Sequence, residues 1–244
     1  MSIAFKSRFV TQGFGVLLGA LFALTAQASI IDTMTYTSME IRYGGSSTID
    51  ATATDSGALY SEVDIFGDET NAEAFAAIGI TNLLGENPES ATVEFEMYYD
   101  GGGYQGTGYM GAAPGSPNAA DITYEAAADT ILDFAWNFEY SGDNPFGLQV
   151  INLSSNNVQF ANLGNVGTPG THVGSDTVSL AGGATYVIRT AFYPNVGGGI
   201  GGISGDLIGA IDFAFSADPS AVPEPGILGL LGLGLLGMRR RLQA

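Results

Sequence analysis

The stretch Thr92–Asp100, TVEFEMYYD, decides the fold. In an extended chain Val93, Phe95, Met97 and Tyr99 fall on one side, while Glu94, Glu96 and Asp100 fall on the other. Wound at 3.6 residues per turn, the same run would mix acids and aromatics on every face. Period two with acids outward is what a half-buried antiparallel strand requires. The pattern recurs. Phe134, Trp136, Phe138 and Tyr140 alternate with Asp133, Asn137 and Glu139. Tyr186, Ile188, Thr190 and Phe192 face away from Arg189, and Ile211, Phe213 and Phe215 away from Asp212. Further strands are predicted at Ser38–Tyr43, Ser47–Thr54, Ala58–Phe66, Gly147–Leu153, Asn157–Leu163 and Thr177–Leu180. Many short strands separated by turn signals predict an all-β fold, an antiparallel β-sandwich of jelly-roll type. One short helix is expected within it. Thr70-Asn71-Ala72-Glu73 reads as a capping box, Ala72–Ala77 is alanine-rich, and Gly79 can end the helix. Asp100–Gly103, Gly111–Pro117, Gly164–Gly174 and Asn195–Gly205 read as loops.

Composition agrees with short strands and frequent turns. The 244 residues include 36 Gly, 9 Pro, 14 Phe and 11 Tyr. There is no Cys and a single His, His172. Disulfides and thiol catalysis are thereby excluded, and His172 lies in a Gly/Thr-rich run that reads as an exposed loop. The chain is acidic, with a formal charge of −18. Of the 25 Asp and Glu all but Glu224 lie between residues 29 and 221, where Arg42 and Arg189 are the only basic residues. Without a basic patch, nucleic acid is excluded as a partner and anionic lipid is disfavoured.

Both ends read as transport signals. Lys6 and Arg8 precede the apolar run Phe14–Leu24, and Ala26-Gln27-Ala28 forms a small-x-small cleavage site, so a mature chain would begin at Ser29. Residues 1–28 are therefore read as a signal peptide with a helical apolar core. Residues 29–215 are read as the sandwich domain and 216–221 as a polar linker. The end, 222–244, opens with Val222-Pro223-Glu224-Pro225. Thirteen apolar residues follow from Gly226 to Met238, and then Arg239, Arg240 and Arg241. Pro225 suits the first turn of a helix. The apolar run would span about 20 Å, short of the roughly 30 Å bilayer core, and so would give only transient membrane anchoring. The arginines would stay on the cytoplasmic side, leaving the body outside.

This three-part C-terminus resembles the PEP-CTERM sorting signal of Gram-negative bacteria. The resemblance covers Val222 to Ala244. It implies passage through the secretion machinery and the inner membrane, then cleavage near the Pro-Glu-Pro turn by a membrane protease, an exosortase. It also implies a final place at the cell surface or in an extracellular matrix, with exopolysaccharide as a partner.

No catalytic residues are assigned. No Gly-x-Ser-x-Gly elbow accompanies His172, and a lone His does not make a zinc site. The pairs Glu94 with Glu96 and Asp133 with Glu139 share strand faces, so a two-carboxylate glycoside hydrolase is a rival reading. Asp64, Asp68 and Glu69 near the Gly67 turn are candidate calcium ligands, as are Asp143 and Asn144, because calcium favours oxygen ligands from loops. No other cofactor is expected. Tyr98, Tyr104 and Tyr109, in or beside a Gly-rich loop, are candidate carbohydrate platforms, while Trp136 reads as core. Gly-x-Gly-x-x-Gly matches such as those starting at Gly101, Gly106 and Gly232 open no helix after a strand and are accidents of composition. The expected function is an exported, non-enzymatic surface or matrix protein. A carbohydrate-binding or calcium-dependent adhesive module is the alternative.

Overall fold

A computed structural model of the chain describes residues 29–44, 48–84, 89–102, 104, 106–111, 118–142, 146–155, 157–166, 168–199 and 203–218. The expected signal peptide, the sorting signal and the candidate ligands Asp143 and Asn144 lie outside the described residues. Every regular element within them is a strand: β1 (Ser29–Tyr43), β2 (Thr48–Gly57), β3 (Tyr60–Gly67), β4 (Ala72–Leu84), β5 (Glu89–Asp100), β6 (Thr107–Gly111), β7 (Asn118–Ala126), β8 (Thr130–Gly142), β9 (Phe146–Asn152), β10 (Val158–Val166), β11 (Gly170–Leu180), β12 (Ala184–Gly199) and β13 (Ser204–Ala217).

The strands form two antiparallel sheets. The first runs β10-β9-β12-β6-β1-β2, with β7 sharing the slot between β12 and β1; the second runs β11-β8-β13-β5-β4-β3. Pairing is nested about the β9–β10 connection. β9 pairs β10 in the first sheet, β8 pairs β11 in the second, β7 pairs β12 in the first, and β5 pairs β13 in the second. The chain thus behaves as one long antiparallel ribbon folded over both sheets.

The apolar sides meet between the sheets. Phe95 of β5 lies 5.5 Å, ring centre to ring centre, from Phe192 of β12. Tyr124 of β7 stacks on Phe215 of β13 at 4.0 Å. Val93, Phe95, Met97 and Tyr99 are all buried, as the alternation of TVEFEMYYD requires. Each such side chain contributes about 1.5–3 kcal/mol relative to an exposed position.

The expected short helix is absent; its residues form β4. Ala72, Ala74, Ala76, Ile78 and Ile80 are buried with period two, while Glu73 faces solvent. Alanine's helix propensity is a weak preference, and this segment is paired on both sides, with β3 and β5. Thr70, expected to cap the helix, caps a turn instead. Its Oγ1 donates to Asp50 Oδ2 at 2.7 Å and accepts from the Ala72 N–H at 3.2 Å. Asn71 turns the chain at φ 51°.

Two expected loops are also largely strand. β10 runs on to Val166 and β11 begins at Gly170, which places His172 in a strand with its ring stacked on Phe138 at 5.0 Å. β12 continues through Pro194 to Gly199 by pairing with β6. β6 and β7 themselves were not expected. Ala120, Ile122, Tyr124 and Ala126 of β7 show the same buried period-two pattern. β13 extends two residues past 215, Ser216 and Ala217 pairing with Ile131 and Thr130.

Candidate functional site

Acidic alternation in the second sheet puts its polar positions on one outward surface. Glu62, Glu96, Ile208 and Glu139 fall in one row across the sheet. Asp64, Phe75, Tyr98 and Asp206 fall in the next. The six strands of this sheet contain no Lys or Arg. The two arginines of the body belong to the first sheet. Arg189 Nε and Nη2 donate to the Asp121 carboxylate at 2.7 and 2.6 Å, a bidentate pair between β12 and β7. Arg42 pairs with Glu40. An unrelieved negative field repels anions, so this surface suits neutral, hydroxyl-rich ligands or cations.

Aromatics cross the same surface. Phe75 and Tyr98 are direct cross-strand partners. Phe66 stands one row away on β3 and is 50% exposed. The Tyr98 hydroxyl donates to Asp100 Oδ2 at 3.4 Å. Partial burial, then the carboxylates of Asp100, Glu73 and Asp206, hold its pKa above the usual phenol value, so it stays a neutral donor. Beside it opens a shallow pocket of about 390 Å³ lined by Tyr98, Asp100, Ser141, Pro169 and Asp206 among others. Gly102, at φ 60°, closes the turn that follows β5. A side chain there would collide with the Asn71 carbonyl at 1.8 Å, so the β5–β6 and β3–β4 turns press together at this end.

A second depression, about 460 Å³, crosses the far end of the surface. Ala135 and Ala214 lie in it between Asp133 and Asp212. Thr92 Oγ1 donates to Asp212 Oδ1 and Thr177 Oγ1 to Asp133 Oδ1, each at 2.7 Å. Both carboxylates are thereby fixed in place as acceptors with lone pairs facing outward.

The sequence-predicted residues are not all brought together. Tyr98 is on the outer face of the second sheet. Tyr104 packs back against the core, its ring over Gly106. Tyr109 belongs to β6 in the first sheet. Asp64 is on the outer face of β3, while Asp68 and Glu69 occupy the turn after it. Among the described residues no three His, Asp or Glu side chains are grouped to hold a metal ion. The residue that organises this turn is Asp50, which sequence reasoning missed. It accepts from the Glu69 and Thr70 N–H groups at 3.2 and 3.0 Å. Its carboxylate sits where a side chain on Gly67 would be, 2.3 Å from that Cβ position. Glu94 with Glu96, and Asp133 with Glu139, do share the outer face. Trp136 lies on the inner face of β8, one strand in from the sheet edge, partly buried against the core. Phe66 and Phe75 were also missed as surface aromatics. The clue was there, since both alternate with buried Ile65 and Ala74.

Among solved structures the chain is similar to a family 35 carbohydrate binding module from Clostridium thermocellum, with 13% identity over 62% of this chain and 97% of that one and a TM-score of 0.23. It is similar to the K1 cleaved adhesin domain of Lys-gingipain from Porphyromonas gingivalis W83, with 15% identity, coverages of 66% and 92%, and a TM-score of 0.28. A third is infectious bursal disease virus, Gx strain, at 10% identity, coverages of 80% and 58%, and a TM-score of 0.31. At such scores none of the three bears on this chain's function. No curated protein matches it in sequence. One family model matches, and it confines itself to residues 221–241. The chain carries the PEP-CTERM protein-sorting motif, the mark of an exported protein handled by an exosortase on its way through the membrane toward the cell surface.

Proposed function

We propose that this is a non-enzymatic surface or extracellular-matrix protein whose body, a jelly-roll sandwich, is released outside the cell when an exosortase cuts near Pro223–Pro225. The nested pairing β9·β10, β8·β11, β7·β12, β5·β13 supports the jelly-roll reading. The observation that carries the functional one is the sorting motif behind a body whose second sheet exposes carboxylates without one cation. A surface of that kind stays soluble and resists adsorption to anionic lipid. Mass spectrometry of the surface-associated protein tests the cut: a C-terminus near Pro223–Pro225 supports it, and an intact Arg239–Arg241 cluster refutes it.

A second reading, a carbohydrate-binding module for matrix exopolysaccharide, is favoured by the Phe66–Phe75–Tyr98 stripe beside the Asp100–Asp206 pocket. Aromatic faces stack on the apolar faces of sugar rings, and neighbouring carboxylates accept from their hydroxyls. Glycan arrays with and without EDTA separate direct sugar binding from calcium-dependent adhesion. A flat response in both removes this reading and leaves the first intact.

A further inference from the structure

We infer that β11 is the seam of a symmetric dimer, two copies of the chain pairing their β11 strands antiparallel about Gly174, with His172 of each copy opposite Asp176 of the other. The inference starts from the free edges of the sheets. A bare edge is a template for another strand, and proteins blunt such edges with bulges, prolines, lysines or covering segments. β10 is bulged, its register with β9 slipping twice. β2 and β3 pack together around the Ala58–Leu59 corner, where the Glu62 N–H of β3 donates to Asp55 Oδ2 of β2 at 3.0 Å. β11 has neither device. It pairs with β8 over eleven residues without a slip and contains no Pro or Lys. Val173 on it is 72% exposed. Among the described residues no strand pairs with its other edge.

What β11 does carry is two polar side chains turned toward the inner side of the sheet, His172 and Asp176, opposite Phe138 and Phe134. Inward polar groups on an edge normally repel a partner strand. One register converts them from guards into a match. Centred on Gly174, antiparallel pairing sets His172 against the other copy's Asp176 twice over, once on each side of the axis. It also sets Thr171 against Thr177 and Val173 against Ser175. Sliding the centre to residue 176 opposes two aspartates, and sliding it to 172 opposes two histidines. Strand register is thus chosen by exclusion as well as attraction. Gly174 suits the axis, because its missing side chain is replaced by the Trp136 indole, 2.2 Å from the Cβ position. A foreign strand would have to place a histidine and an aspartate in the same order, whereas a second copy has them by symmetry. The dimer would join the second sheets of two copies edge to edge and continue their acidic faces as one surface. The inference is independent of the sugar-binding reading.

The test uses the full chain in mild detergent. The protein has no Cys, so engineered thiols report without background. Opposed residues lie about 4.5–5.5 Å apart at Cα, within reach of a disulfide. Val173→Cys with Ser175→Cys should give a covalent dimer on mild oxidation. Thr177→Cys with Ser179→Cys, on the same face but unopposed in this register, should not. On the first background Asp176→His or His172→Asp alone should lower the cross-linked yield about tenfold, since each change loses two symmetric pairs, and the double exchange should restore it. Emission from Trp136, the single tryptophan, should shift on dilution through the association range, with circular dichroism confirming that each variant is folded. Equal cross-linking of the two cysteine pairs, a double exchange no better than the single changes, or a monomer at every concentration would overturn the inference.

Discussion

Replacing Gly209 with alanine probes how the aromatic core closes. Gly209 sits on the inner side of β13, directly between Phe95 of β5 and Phe138 of β8. The two rings approach across it to 6.4 Å, and Phe95 then meets Phe192 of the opposite sheet. An added Cβ would lie 2.3 Å from Phe138 Cβ, 2.5 Å from Phe138 Cα and 2.6 Å from the Asn137 carbonyl. Two of these neighbours are main-chain atoms that cannot rotate away. In an open strand position the same change stabilises by about 0.4–1 kcal/mol, through the entropy lost from the unfolded chain. Overpacking works the other way at about 1–3 kcal/mol, so a net loss of roughly 1–2 kcal/mol is expected. In a domain of this size that lowers the melting midpoint by about 2–8 °C. Gly79→Ala is the matched control. Its Cβ would meet nothing nearer than Tyr60 Cδ2 at 3.5 Å, and its stability should hold or rise. Urea unfolding of both variants, with unchanged m-values, reads the difference. A Gly209→Ala variant as stable as Gly79→Ala would refute the close approach of β13 to β8 and the packing argued from it.

Three further outcomes are expected. Asn118→Ala should destabilise by about 1–3 kcal/mol, because the buried Ser38 N–H now donates to Asn118 Oδ1 at 2.6 Å and would be orphaned; differential scanning fluorimetry is enough to see it. Glu89, partly buried, has its pKa raised by that burial, opposed by the Ile30 N–H that donates to it at 2.9 Å. A carboxyl whose folded pKa lies above its unfolded value favours the fold when protonated, and that contribution is lost as pH rises through the folded pKa. Glu89→Gln should therefore gain stability over wild type at pH 7 and lose that advantage below about pH 4, in parallel denaturation series. Phe75→Ala and Tyr98→Ala should each remove retention on immobilised exopolysaccharide while leaving the melting midpoint nearly unchanged, as both stand on the outer face; retention unaltered by either would dismiss the stripe as a binding surface.

The strands that could be read in advance are those whose burial alternates strictly, such as Val93–Tyr99 and Phe134–Tyr140. There one residue type per face is enough to state the conformation. Ala72–Ala77 was misread because alanine suits a helix locally, and only its pairing with β3 and β5 overrides that preference. Glycine-rich stretches such as Gly170–Gly174 and Asn195–Gly199 looked like loops because glycine removes the side-chain pattern. Their strand character comes from hydrogen bonds to β8 and β6, which neighbours in sequence do not reveal. The candidate site divides in the same way. Tyr98 was visible as a tyrosine beside a turn, whereas its alignment with Phe75 and Asp206 depends on register between strands far apart in the chain.

By itself the amino-acid order determined the export motif at 221–241, the acidic balance and the two-residue rhythm of the core strands, because each is written in contiguous residues. Tertiary structure alone decided which strands lie side by side, that the body's two arginines sit in one sheet while the other bears none, and that among the described residues no strand lies on the outer edge of β11. Those facts follow from pairings between distant segments, whose hydrogen bonds and buried contacts form together or not at all.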